Sequence, residues 1–225
     1  MAQVEGMAYR QPMKIAPSTP DEPPALHARA IQDLSYIRRT MEGASSFTDV
    51  PGWGLVAIGV TAIGASVVAG TQESAGWWIT VWLVEAAIAA AIGVGMTWRK
   101  MSRRARTSGA PVLSAPARKF LFGFWPAIFA GAVITAALID PVRVWDAYSS
   151  VPRILPGVWL LLYGVGVMTA GAFSVRAVPL MGAGFILLGA IALLVHRAPE
   201  NLLLALGFGP WQIAFGIWIA RRHGG

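Results

Sequence analysis

Cysteine is absent from the 225-residue chain, which removes disulfides, thiolate nucleophiles and Cys-ligated zinc or iron–sulfur centres together. The lysines are Lys14, Lys100 and Lys119, all outside the long apolar stretches, so a retinal-type Schiff base has no anchor. The 3 histidines, His27, His196 and His223, fall in tails or loops, which excludes a haem held by two mid-membrane imidazoles. Acids are scarce, and Glu85 alone lies within an apolar stretch, so an acid–base pair in lipid lacks its second carboxylate. HExxH, Walker A and nucleophile-elbow sequences are missing as well. No cofactor or metal site and no enzyme class emerges from these residues.

What remains is apolar. Hydrophobic residues make up 56% and charged residues 13% of the chain, against about 25% charged in an ordinary soluble domain. The apolar residues form six runs, at about 52–70, 77–98, 120–139, 154–175, 177–195 and 201–220. Each is close to the roughly 20 residues that cross about 30 Å of hydrocarbon at ~1.5 Å per residue. The apolar/polar alternation of a membrane β-barrel is missing. Helices satisfy their own backbone groups in lipid, so the expected fold is all-α: a six-helix transmembrane bundle over 52–220.

Ahead of the bundle, residues 1–25 carry Pro12, Pro17, Pro20, Pro23 and Pro24 and read as a disordered tail. Residues 26–47 place Leu26, Ile31, Leu34, Ile37 and Met41 largely at spacings of three and four, the pattern of an amphipathic helix. Such a helix could lie on headgroups, pack under the bundle or dock a partner. The polar opening lacks the basic start and apolar core of a signal peptide, so the first apolar run is expected to stay in the membrane.

Basic residues set the expected orientation. With the N-terminus inside, every Lys and Arg except Arg143, Arg153 and Arg197 falls on the inner side, which predicts a bacterial inner-membrane protein with both termini cytoplasmic. The same placement accounts for the net charge of +7 without nucleic-acid binding. The 99–119 segment holds Arg99, Lys100, Arg103, Arg104, Arg106, Arg118 and Lys119 and no acid, and is expected to contact anionic lipid or a partner. Trp77, Trp78, Trp82, Trp145, Tyr148 and Trp159 mark the outer edge, and Trp53, Trp98, Trp125 and Trp218 the inner one. Pro51-Gly52-Trp53 and Pro156-Gly157-Val158-Trp159 open the first and fourth runs alike, a hint of an inverted repeat.

Dense glycine and alanine in the second, fourth and fifth runs point to close helix packing rather than to nucleotide loops. Glu85 lies about 12 Å below the edge marked by Trp77. Charge at that depth costs about 2.5–3.5 kcal/mol on insertion scales, so a polar partner is expected. Tyr163, Gln212 and Thr61 are the candidates at similar depth, and together with Glu85 they form the candidate intramembrane polar site. Asp140, Asp146, His196 and Glu200 share the outer side and read as solvated loop ends.

The stretches DLSYIRRTMEGASSFTDVPGWG (33–54) and FGIWIARRHGG (215–225) are similar to uncharacterised bacterial multi-pass membrane proteins. The resemblance implies topology and no activity. The functional expectation is a non-enzymatic scaffold or sensor-like membrane component that contacts lipid, a partner protein or a second copy through its cytoplasmic helix and basic loop. The alternative is a small transporter or channel-like protein with a polar pocket at Glu85.

Overall fold

The computed structural model describes residues 29, 31–37, 47–109, 111–139, 151–195 and 199–223, and the chain divides into two units, Met1–Met41 and Glu42–Gly225. In the first unit residues 29 and 31–37 are helical, and Ser35 Oγ donates to the Gln32 carbonyl at 2.8 Å. Ile31, Leu34 and Ile37 are exposed along this helix. The expected disordered tail over 1–25 and residues 26–28, 30 and 38–46 of the expected 26–47 helix lie outside the described residues; Phe47, its expected last residue, is not helical but bridges to Ser174.

The second unit is helical. Its elements are α1 (Gly52–Gly70), α2 (Ala75–Ser108), α3 (Ala115–Leu138), α4 (Val151–Gly171), α5 (Ala177–Leu194), α6 (Glu200–Leu206), a π turn (Gly207–Trp211) and α7 (Gln212–His223). Because α6, the π turn and α7 are continuous, six helices among the described residues are long and apolar enough to cross a membrane. Helix composition marks the chain as a multi-pass membrane protein. The helix bundle has a basic end, with the start of α1, the α2–α3 connection, the α4–α5 turn and the end of α7, and an opposite end.

Local chemistry sets the boundaries. Ser74 caps α2 by accepting from the Trp77 amide at 3.3 Å, and Ser114 caps α3 by accepting from Ala117 at 3.4 Å. Gly109 stops α2 in the left-handed region at φ 64°, a conformation that costs a side chain strain. With 34 residues α2 is far longer than the 77–98 run read from the sequence, because Met101 and the basic residues after Trp98 continue the helix. The π turn follows from Pro210, which has no amide to donate and whose ring crowds the carbonyl one turn back; a wider turn relieves both.

Two antiparallel helix pairs are held by glycines seven residues apart. Gly157, Gly164 and Gly171 of α4 face Gly189, Gly182 and Pro179 of α5. A Cβ on Gly164 would lie 2.7 Å from the Ile186 nitrogen and 2.8 Å from the Gly182 carbonyl oxygen. Likewise Gly52 and Gly59 of α1 face Gly216 and Gly209 of the last span. Two rows of small residues let backbones touch, which is how helices gain dispersion energy in a solvent as apolar as themselves. α3 packs on α4 through Gly123 against Ala170 and Gly166 against Ala127, and α2 packs on α1. The glycine rows do not follow an inverted repeat: those of α1 face the last span, whereas those of α4 face the helix that comes next.

Gly164→Leu should open the α4–α5 contact and destabilise the bundle by about 1–3 kcal/mol. Gly64→Leu and Gly95→Leu, where a Cβ meets nothing within 4 Å, should leave the melting temperature of the detergent-solubilised protein near that of the parent. Equal losses at all three sites would contradict the packing described.

Candidate functional site

The four residues expected to form one polar site resolve into two pairs. Glu85 is 6% exposed although it sits on a helix whose neighbours Val84 and Ile88 are exposed. It faces α1, where the Thr61 hydroxyl donates to Glu85 Oε1 at 2.8 Å. The Thr61 hydroxyl also lies 2.9 Å from the Ile58 carbonyl, so two acceptors compete for its single proton. The second pair lies between α4 and the last span, where the buried side chains of Tyr163 and Gln212 are close neighbours. Gln212 is 1% exposed, and its Oε1 has no hydrogen-bond partner among the described residues.

Rings fill the space around the second pair. Tyr163 meets Phe124, Phe185 and Phe208 edge-on at centroid distances of 5.8, 4.7 and 5.0 Å. Phe124 in turn meets Phe120, and Phe120 meets Phe47, so aromatic contacts run from mid-bundle to the basic end. A groove of ≈ 330 Å³ lined by Leu188, Leu206, Pro210, Trp211 and Ala214 opens beside the π turn; neither Glu85 nor Gln212 lines it. Trp211 lies across Gly184 and donates Nε1–H to the Met181 carbonyl at 3.1 Å, tying the π turn to α5.

At the opposite end a polar centre appears that sequence reasoning did not single out. Asn201 Oδ1 accepts from the indole N–H groups of both Trp78 and Trp82 at 3.2 Å, and Asn201 Nδ2 donates to the Ser66 carbonyl at 3.1 Å. Trp78 stacks on Trp159 at 6.2 Å, and Trp159 donates to Thr135 Oγ1 at 2.8 Å. Five of the six spans meet in this cluster. Trp78 and Trp82 are therefore buried interior residues rather than lipid-facing belt residues, while Trp77 is 57% exposed. The physical reason is a shared acceptor: an indole N–H in an apolar interior needs one, and Asn201 supplies it.

At the basic end the chain entering α1 is clamped on three sides. The Phe47 amide donates to the Phe173 carbonyl at 2.6 Å, and Ser174 Oγ donates to the Phe47 carbonyl at 2.6 Å. Arg104 pairs with buried Asp49 at 3.1 Å, and Lys100 Nζ donates to the Val50 carbonyl at 3.3 Å. Lys119 Nζ lies 5.8 Å from the centre of the Phe173 ring. The seven basic residues of 99–119 therefore do not act as one set. Lys100, Arg104 and Lys119 each reach a partner on the bundle although Arg104 and Lys119 are themselves exposed, whereas Arg99, Arg103, Arg106 and Arg118 are exposed on other sides. Asp49 was also missed by sequence reasoning; its signal was an acid placed beside the first span at an end crowded with cations.

No protein-family model, curated protein or solved structure matches this chain. What stands of the resemblance carried by 33–54 and 215–225 is therefore the multi-pass organisation. Among the described residues no group of three or more His, Asp or Glu is placed to hold a metal ion. Asp140, Asp146 and His196 lie outside the described residues, and Glu200 opens α6.

Asn201→Leu should strand both indole donors in an apolar surround, at about 1–3 kcal/mol each. A lowered melting temperature and a shifted tryptophan emission are expected, whereas Val84→Ala on the exposed face should move neither. Thr61→Val removes the donor to Glu85, and Thr61→Ser restores it. A melting-temperature loss in the first that the second recovers would mark the hydrogen bond as the cause.

Proposed function

We propose that the chain is a non-enzymatic component of a bacterial inner membrane, with both termini in the cytoplasm. Its bundle would serve as a scaffold, or as a sensor-like element, for a cytoplasmic face that contacts lipid or a protein partner. The amphipathic helix expected over 26–47 and the 99–119 segment would each make such contacts. The observation that carries this reading is how the mid-bundle polar groups are engaged among the described residues. The rings of Phe124, Phe185 and Phe208 pack against Tyr163, and the Glu85 carboxyl group is taken up by Thr61. The distribution of Lys and Arg supports the orientation, because basic residues are retained on the cytoplasmic side during insertion. The clamp at Phe47–Val50 supports a role for the basic end, since it gives the entering chain a defined seat on α2 and the α4–α5 turn.

A second reading, a small transporter or channel-like protein, keeps one observation on its side. Gln212 Oε1 is buried without a hydrogen-bond partner among the described residues, directly after a π turn, and such turns recur at functional sites.

Purified protein in liposomes separates the two. The scaffold reading expects no proton or cation flux above protein-free vesicles, and full expression and folding of Glu85→Gln. Flux that Glu85→Gln or Gln212→Leu abolishes would establish the transporter instead. Reporter fusions after residue 109 should read as cytoplasmic, and a periplasmic signal there would reverse the orientation.

A further inference from the structure

We infer that Arg99, Arg103 and Arg106 form a binding face for the phosphate of an anionic lipid headgroup. The inference deepens the docking-face reading above and rests on it. It starts from the way α2 divides its own charges. On one side of the helix Met101 is buried, Lys100 reaches the Val50 carbonyl and half-exposed Arg104 reaches Asp49. Arg99, Arg103 and Arg106, at spacings of four and three, lie together on another side of the same helix, and all three are exposed. Three like charges in one row repel one another, and the 99–119 segment contains no acid to offset them. Such a row attracts an anion from outside the segment.

The depth of the row identifies that anion. Trp77 and Trp98, both exposed, mark the edges of the α2 span. At ~1.5 Å per residue they are about 32 Å apart, matching about 30 Å of hydrocarbon. Arg99 then sits at the hydrocarbon boundary, with Arg103 about 6 Å and Arg106 about 10 Å beyond it. A headgroup layer is about 5–8 Å deep on each side. Two of the arginines thus lie within that layer, and Arg106 stands within the ~8 Å screening length of it. The helix carrying them is continuous from the bilayer through Ser108, so the guanidinium groups keep their spacing relative to the membrane surface. The residue type fits the same ligand. A guanidinium presents a fork of N–H donors that grips a phosphate by two oxygens, which an ammonium cannot do. Arginine occupies all three outward positions, whereas the bundle-facing pair is one lysine, Lys100, and one arginine, Arg104.

The test uses the full-length protein in phosphatidylcholine nanodiscs containing a minor fraction of spin-labelled phosphatidylglycerol, with spin-labelled phosphatidylcholine as reference. The parent protein should immobilise phosphatidylglycerol in preference to phosphatidylcholine. Arg99→Gln, Arg103→Gln and Arg106→Gln should each lower that preference by roughly fivefold, and the triple variant should abolish it. Arg→Lys at all three positions should retain only part of it. Arg104→Gln removes the same formal charge from the inward face and should keep the preference. An undiminished preference in the triple variant overturns the inference. So does an equal loss in Arg104→Gln, which would indicate a diffuse field, and so does displacement by millimolar inorganic phosphate, which would assign the site to a soluble anion. Should the triple variant fail to insert, Arg103→Gln alone decides. The liposome flux assay tests the scaffold reading without reference to lipid preference, so the two fail separately.

Discussion

Inside hydrocarbon no water is available to satisfy a polar group or to drive two apolar faces together. Everything in this bundle answers to that constraint. Helices approach through the glycine rows at Gly157–Gly164–Gly171 and Gly52–Gly59, where contact between backbones replaces the hydrophobic effect. Polar side chains settle against groups on other spans: Thr61 with Glu85, Tyr163 beside Gln212, and Asn201 with two indoles and the Ser66 carbonyl. Each set joins different spans, so the hydrogen bonds fix which helices are neighbours after the glycines have fixed how near they come. Gln212 Oε1 is the one buried side-chain atom without a partner among the described residues, and it lies where the last span widens into a π turn.

The two ends of the bundle solve different problems. At the opposite end the Asn201 cluster knits spans together with neutral groups. At the basic end the same task falls to charged ones, through Asp49 with Arg104 and Lys100 with the Val50 carbonyl. A helix period of 3.6 residues divides a run of cations between an inward and an outward side. One short stretch of α2 can therefore serve both the internal clamp and the membrane surface.

Much of this was legible before any coordinates. Six runs of sufficient length and the absence of alternation pointed to a helical bundle, and Glu85 stood out as the lone acid within a run. Its neighbour Thr61 was named from depth alone. What depth cannot tell is azimuth. In helices apolar on every side, no hydrophobic stripe says which face turns inward. Trp78 and Trp82 thus read as belt residues although they point at Asn201, more than a hundred positions away. Azimuth also separates Glu85–Thr61 from Tyr163–Gln212, which share a depth but lie between different helices. The extension of α2 past Trp98 was hidden because charge reads as the end of a span, whereas the helix itself runs on to Gly109. Pro210 was visible, but whether a proline kinks, breaks or widens a helix depends on its packing, here Trp211 against Gly184.

The clamp at Phe47 has a consequence for biogenesis. Ser174, which bonds the Phe47 carbonyl, lies 127 residues further along the chain. The glycines of α1 wait longer still, for Gly209 and Gly216. Helix α1 is thus made well before the helices that enclose it. Until the last span is made, it must persist in the bilayer with lipid, or the insertion machinery, standing in for a neighbour not yet made.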